Sequence, residues 1–232
     1  MLLAHHDNVI DVENILRRCG LQEALIADFS GVLARDAVDW LGTVCLQLIE
    51  TEMPARALTF LKNSAQVKGR LGYQAEQTGL DSGWSVGMLA RLLLLLATLE
   101  NTADQREALI REIYRLGGNN EKYLLARGLS ILDSEGLLLD MALDMGRTND
   151  NYLLSALVQH NAYPAMFYSE EQFNRLILKA LFYDLDISQA INLDKRINTR
   201  LVGLCQDFID EKNDAGRDFT ESIFIITKGK KI

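Results

Sequence analysis

"MLARLLLLLATL", residues 88–99, is the most apolar run in the chain, and its reading decides the fold class. It is too short to cross a bilayer, which takes about 20 apolar residues, and Arg91 interrupts it. Leu and Ala dominate it, and both are strong helix formers. The run therefore reads as a central helix that other helices surround.

Outward from this run, apolar residues recur at helical spacing almost everywhere. The spacing predicts helices near 10–19, 32–51, 54–65, 84–99, 103–116, 119–131, 136–145, 149–160, 170–183 and 195–215. Runs of β-branched residues are almost absent, and there are only two prolines. The expected fold is all-α, an antiparallel helical stack. One internal echo points to a HEAT-like α-α superhelix as its form. "LDMGRTN" (143–149) and "LDKRIN" (193–198) both place an acid before Arg-x-Asn, 49 residues apart, which is close to the period of two-helix repeats.

Several helix ends carry their own signals. Thr102 with Gln105, and Ser169 with Gln172, fit capping boxes. Gly117, Gly118 and Gly216 follow helices where a left-handed residue is wanted. Pro164 is expected to stop the helix before it. Residues 64–83 lack clear periodicity and are a candidate functional loop or hinge. "GLDSGWSVG" (79–87) reads as a turn and a helix cap, and "FIITKGKKI" (224–232) as a short final element running into a solvated basic end.

The 232 residues are 48% hydrophobic and 24% charged, the balance of a globular protein. A formal net charge of −8 disfavours nucleic acid and anionic membranes as partners. Cys19, Cys45 and Cys205 sit far apart in apolar patterns with no CxxC pair, so they read as small buried hydrophobes in a reducing compartment. The N-terminus turns polar and acidic too soon for a signal peptide. The expected location is cytoplasmic.

Polar residues with directional chemistry gather in the second half of the chain. Asn149 or Thr148 is placed to cap the helix beginning near 149. Arg147 fits less easily, because a cation at a helix N-terminus opposes the dipole. It is expected either to pair with Asp144 or to reach a pocket with Asn161. His160 shares a stripe with Leu153 and Leu157 and reads as a core-edge histidine. In the helix over 170–183, Lys179 and Arg175 lie near a second apolar face made by Leu178 and Phe182. Glu211, at the edge of a stripe over 195–215, could be the counter-charge for Lys179, Arg147 or Arg217, and a clamp is the expected role of such a pair. No second His or Cys stands at metal-ligand spacing, so no metal or other cofactor is expected. Nucleophilic triads, phosphate loops and carboxylate–metal boxes are likewise missing from the sequence.

Five stretches resemble the EboA family of bacterial metabolite-traffic proteins in their order and spacing: "RTN" (147–149), Asn161 with "YPA" (163–165), "LKALF" (178–182), "LDKRIN" (193–198) and "DFIDEKNDAGR" (207–217). "ARLLLLLATL" (90–99) followed by "NTADQREALIREIY" (101–114) is similar to the family's middle section. On this reading residues 1–232 are one all-helical domain. Residues 1–82 are diverged N-terminal helices, and 83–227 carry the resemblance. Two departures stand out. Ala162 replaces the first proline of the family's Asn-Pro-Tyr-Pro corner, and Lys212 and Asp214 alter its ending before Gly216 and Arg217.

The resemblance implies a role in trafficking secondary-metabolite precursors. The implied partners are operon-encoded proteins such as a TatD-like hydrolase, a small-molecule metabolite, and a peripheral link to a membrane prenyltransferase. Carried over by position, the family's polar cluster is Arg147, Asn149, Asn161, Tyr163, Lys179, Asp194, Arg196, Asn198, Glu211 and Arg217. The expected function is a non-catalytic adaptor or small-molecule-binding protein. The alternative is an enzyme on a prenylated or phosphorylated metabolite, with Arg147, Lys179, Arg196 and Arg217 holding the anion and Glu211 or Asp194 as acid/base. A third reading makes the cluster a polar core that sets helix register.

Overall fold

The structure, a computed structural model, describes residues 31–76 and 84–228. The helix expected over 10–19, Cys19, residues 77–83 of the aperiodic segment and the basic end at 229–232 lie outside the described residues. The chain divides into two compact units, Met1–Leu124 and Leu125–Ile232. Every described regular element is helical, so the protein is all-α.

The first unit contains α1 (Arg35–Glu50), α2 (Met53–Ser64), α3 (Val67–Leu71), α4 (Val86–Thr98) and α5 (Arg106–Leu116). Helix α6 (Asn119–Leu132) begins in it and carries the boundary. The apolar run is α4, buried over nearly its whole surface, with Leu92, Leu93, Leu94 and Leu95 fully enclosed. Each such leucine contributes roughly 1.5–3 kcal/mol. Helices α1, α2 and α3 pack around α4, together with a 3₁₀ turn at Gly72–Glu76. A Cβ on Gly87 would lie 2.8 Å from the Ala75 carbonyl oxygen, so only glycine lets this turn close against α4. Over residues 67–76 the aperiodic segment is helical, and Val67, Leu71 and Ala75 are buried.

The second unit contains α7 (Leu139–Met145), α8 (Asn151–Val158), α9 (Tyr163–Phe167), α10 (Glu170–Phe182), α11 (Leu193–Arg196), α12 (Thr199–Asp214) and α13 (Phe224–Thr227). Helix α8 packs on α7 and α10, α10 on α12, and α12 on α13. The core runs through Leu154, Leu157, Ile177, Leu181, Leu201 and Cys205. Cys45 and Cys205 are both buried, and burial pushes their thiols up to about 12 and about 11. They are unreactive at neutral pH.

Four expectations about helix ends need correction. Thr102 does not form a capping box, because its hydroxyl donates backward to the Leu99 carbonyl and a 3₁₀ turn precedes α5. Gly117 is extended rather than left-handed, at φ −72° and ψ 155°. Asp150, not Asn149 or Thr148, caps α8, accepting from the Tyr152 and Leu153 N–H groups. Pro164 does not stop the preceding helix, which ends six residues earlier at Val158. Its fixed φ suits the first turn of α9, which it opens. The box at Ser169 and Gln172 forms in full, and Gly216 is left-handed at φ 61°.

Candidate functional site

The most connected polar group of the second unit is Asp133, at the loop joining α6 to α7. Its Oδ1 accepts from the N–H groups of Glu135, Gly136 and Leu137 at 2.9–3.1 Å. Its Oδ2 accepts from the Leu138 N–H at 2.7 Å and the Tyr163 hydroxyl at 2.6 Å. Burial alone would raise the carboxyl pKa. The bonds from Tyr163 and the backbone outweigh it and hold the group below the usual carboxylate range. Burial, followed by the bond to Asp133, pushes the Tyr163 phenol far above its ordinary value, so it stays a donor. Asn161 completes the corner. Its Nδ2 donates to the Ala126 and Ala156 carbonyls, and its Oδ1 accepts from the Tyr163 N–H. The Asn-x-Tyr-Pro stretch is therefore a buried brace joining α6, α8 and α9.

Cations close the C-terminal ends of several helices, where the dipole favours positive charge and carbonyls lack partners. In the first unit, Arg56 donates to Ile49 and Thr51 at the end of α1 and to Thr98 and Glu100 at the end of α4. In the second, Arg127 donates to the Gln159 carbonyl beyond α8. Burial pushes the Arg127 pKa down to about 10, which still leaves it charged at neutral pH. Arg196 donates to the Ala165 carbonyl in the last turn of α9 and to the Tyr168 and Ser169 carbonyls beyond it, and stacks 4.6 Å from the Phe173 ring centroid. Lys179 donates to the Gly146 carbonyl after α7 at 3.0 Å. Arg147 also follows α7, so its charge complements that helix end and does not oppose the start of α8.

A cavity of about 470 Å³ opens between α7 and α10, lined by Arg147, Arg175 and Lys179 with Tyr168, Gln172 and the apolar Leu143 and Leu176. Three cations border it and no carboxylate does. Asp144 and Glu171 engage Arg147 and Arg175 from outside the lining, at 3.8 Å and 2.6 Å. Such exposed pairs contribute little, and Arg147 is 82% exposed, so both guanidinium groups can turn to another anion. Tyr168 is 5% exposed, and its buried hydroxyl has no hydrogen-bond partner. Burial pushes its pKa up, so it remains a neutral O–H. Burial also pulls the Lys179 ammonium below its ordinary pKa.

A second hollow, about 480 Å³, lies between α10 and α12. Leu178, Phe182, Tyr183, Leu204 and Phe208 line it, with Asp207, Glu211 and again Lys179. The two hollows share Lys179. Tyr183 is held there by donating from its hydroxyl to Asn149 Oδ1 at 3.0 Å.

The ten residues expected as one cluster thus fall into three settings. Asn161, Tyr163, Arg196 and Asn198 are framework. Asn198 caps α12 through the Leu201 N–H and exchanges hydrogen bonds with the buried Asn174. Arg147 and Lys179 border the cationic cavity, and Asn149 steadies Tyr183 beside it. Asp194, Glu211 and Arg217 are exposed. Arg147 and Asn161 do not share a pocket, and among the described residues Glu211 makes no ion pair. The Arg-x-Asn echo does not place equivalent side chains, since Asn198 caps a helix and Asn149 does not. Reading by position missed Tyr168, Gln172 and Asp133. Asp133 had a signal in the run "DSEG" (133–136), an acid followed by a turn. A lone tyrosine after a short helix offers none.

The first unit holds a buried polar knot around Glu121. The Ser64 hydroxyl donates to Glu121 Oε1 at 2.5 Å, and Glu121 Oε2 accepts from the Gly118 N–H. Arg91 faces this acid from α4 and donates to the Gly87 carbonyl, while its Nε is unpaired. Burial lowers the Arg91 pKa, and Glu121 partly offsets the shift.

Among the described residues no group of three or more His, Cys, Asp or Glu could hold a metal ion, and no helix is long and apolar enough to cross a membrane. The fold and the site define an all-helical protein whose second unit carries a cationic cavity. Residues 44–228 match the family described as "Metabolite traffic protein EboA", and the chain belongs to that family. The match begins within α1, so it takes in helices N-terminal to the motifs that carry the resemblance. No curated protein and no solved structure is significantly similar to the chain.

Proposed function

We propose that the chain is a non-catalytic binding protein that holds an anionic small molecule during metabolite traffic, in the cavity bordered by Arg147, Arg175 and Lys179. The observation that carries this reading is the lining: three cations and no carboxylate. Charge-assisted hydrogen bonds from guanidinium and ammonium groups suit phosphate or carboxylate oxygens. Neither Asp194 nor Glu211, the acid–base residues of the enzyme alternative, borders this cavity. Delivery to operon-encoded partners, a TatD-like hydrolase or a membrane prenyltransferase among them, belongs to the same proposal and rests on the family alone.

Titration calorimetry with inorganic phosphate and diphosphate tests it. Wild type should bind diphosphate more tightly than phosphate, with affinity falling as salt rises. The variant R147Q/R175Q/K179Q, checked for folding by circular dichroism, should bind at least tenfold more weakly. Wild type that binds neither ion, or a variant that binds as well as wild type, would sink the reading.

A further inference from the structure

The two hollows that share Lys179 in their linings are chemically unlike. One side of Lys179 presents Arg147, Arg175 and Tyr168. The other presents Leu178, Phe182, Leu204 and Phe208, with Asp207 and Glu211 beside them. Phe182 is 67% exposed, although it sits on the helix that carries the cationic lining. Its ring extends the apolar surface of the hollow lined by Leu178, Leu204 and Phe208 and leaves it open to a ligand. We infer that the ligand is an amphiphile, with a phosphate-type head beside Arg147, Arg175 and Lys179 and an apolar tail against Leu178, Phe182, Leu204 and Phe208. This rests on the anion-binding reading above and extends it to the class of ligand.

Three features set the orientation. The guanidinium donors Arg147 and Arg175 stand only on the α7 side, where no carboxylate lines the cavity. On the α12 side, Asp207 and Glu211 repel an anion, so the charged end is excluded and the uncharged end is accepted. Lys179 is fixed between them by its bond to the Gly146 carbonyl and by the Tyr183 ring, whose centroid is 5.9 Å away. Its ammonium can serve the head, while its stem and the Tyr183 ring form apolar surface along which a tail can lie.

The test is calorimetry on the full chain with methyl phosphate, butyl phosphate, octyl phosphate and octanol, all below micelle formation. Each methylene that enters the apolar hollow should tighten binding by roughly two- to fourfold. Octyl phosphate should therefore bind at least tenfold more tightly than methyl phosphate, and octanol much more weakly than octyl phosphate. Phe182→Ser should shrink the gap between octyl and methyl phosphate at least threefold while leaving methyl phosphate unchanged. Phe182→Leu, which keeps an apolar side chain, should preserve the gap. Equal binding of methyl and octyl phosphate overturns the amphiphile inference and leaves the anion site standing. Octanol binding as tightly as octyl phosphate, or no phosphate binding at all, removes the anion site and this inference with it.

Discussion

The Tyr163 hydroxyl and the Asp133 carboxylate, 30 positions apart in sequence, meet at 2.6 Å inside the second unit. This bond ties α9 to the loop before α7 and is charge-assisted. Tyr163→Phe removes only the hydroxyl and should lower stability by about 1–3 kcal/mol. Asp133→Ala strands four backbone N–H groups as well and should cost about 3–5 kcal/mol. Urea denaturation of the two variants checks the order. Equal losses would mean that the loop finds other partners.

The same carboxylate sets a pH response. Its folded pKa is held below the unfolded value of about 3.9, so between the two the unfolded chain binds the proton more readily. The stability it contributes is present above about pH 4 and is lost as pH falls through the folded pKa. Wild type should thus lose stability on acidification more steeply than Asp133→Asn, which has no proton to take up at that site. Denaturation midpoints between pH 7 and pH 3 measure this, and parallel curves would refute it.

Gly136 has φ +80°, and a Cβ placed there would lie 2.8 Å from Phe167 Cδ1. Gly136→Ala therefore meets both a left-handed backbone and a ring that packs on Tyr163 at 4.7 Å. The backbone term alone is about 1–2 kcal/mol. Thermal unfolding should show a clear drop for Gly136→Ala. Gly203→Ala, exposed on α12 with nothing within 4 Å, should be neutral or slightly stabilising.

Arg196 serves three carbonyls and the Phe173 face with one planar group. A lysine ammonium cannot reproduce that fork. Arg196→Lys should lose most of what Arg196→Ala loses, on the order of 2–3 kcal/mol. A lysine variant as stable as wild type would show that charge alone closes the end of α9.

The all-α class was legible because helical periodicity is a local property, and α4 announced itself by composition. Most predicted helices agree with the observed ones to within a few residues at either end. The exceptions have physical causes. Val67–Leu71 is too short for a periodic signal, yet burial against α4 makes it helical. Ends were misread where the capping side chain was one residue away, as with Asp150 in place of Asn149. The Arg147–Asp144 pair was legible because its members lie three positions apart, whereas the partner of Lys179 was beyond reach of the sequence. Lys179 meets a backbone carbonyl 33 positions earlier, and no side-chain pattern encodes a carbonyl. The cavity was illegible for the same reason, since Tyr168 and Arg175 become neighbours of Arg147 only through the packing of two helices.

The closures made by Arg56, Arg127, Lys179 and Arg196 share an asymmetry that bears on how such a chain can drift. Every amino acid, proline included, supplies a main-chain carbonyl. Residues at the receiving positions, among them Gln159, Ala165, Tyr168 and Ser169, can be exchanged without erasing the acceptor. Only the donor is encoded by a side chain. Each fastening therefore has one vulnerable codon where an acid–base pair has two, and a mutation elsewhere can neither create nor remove its other half.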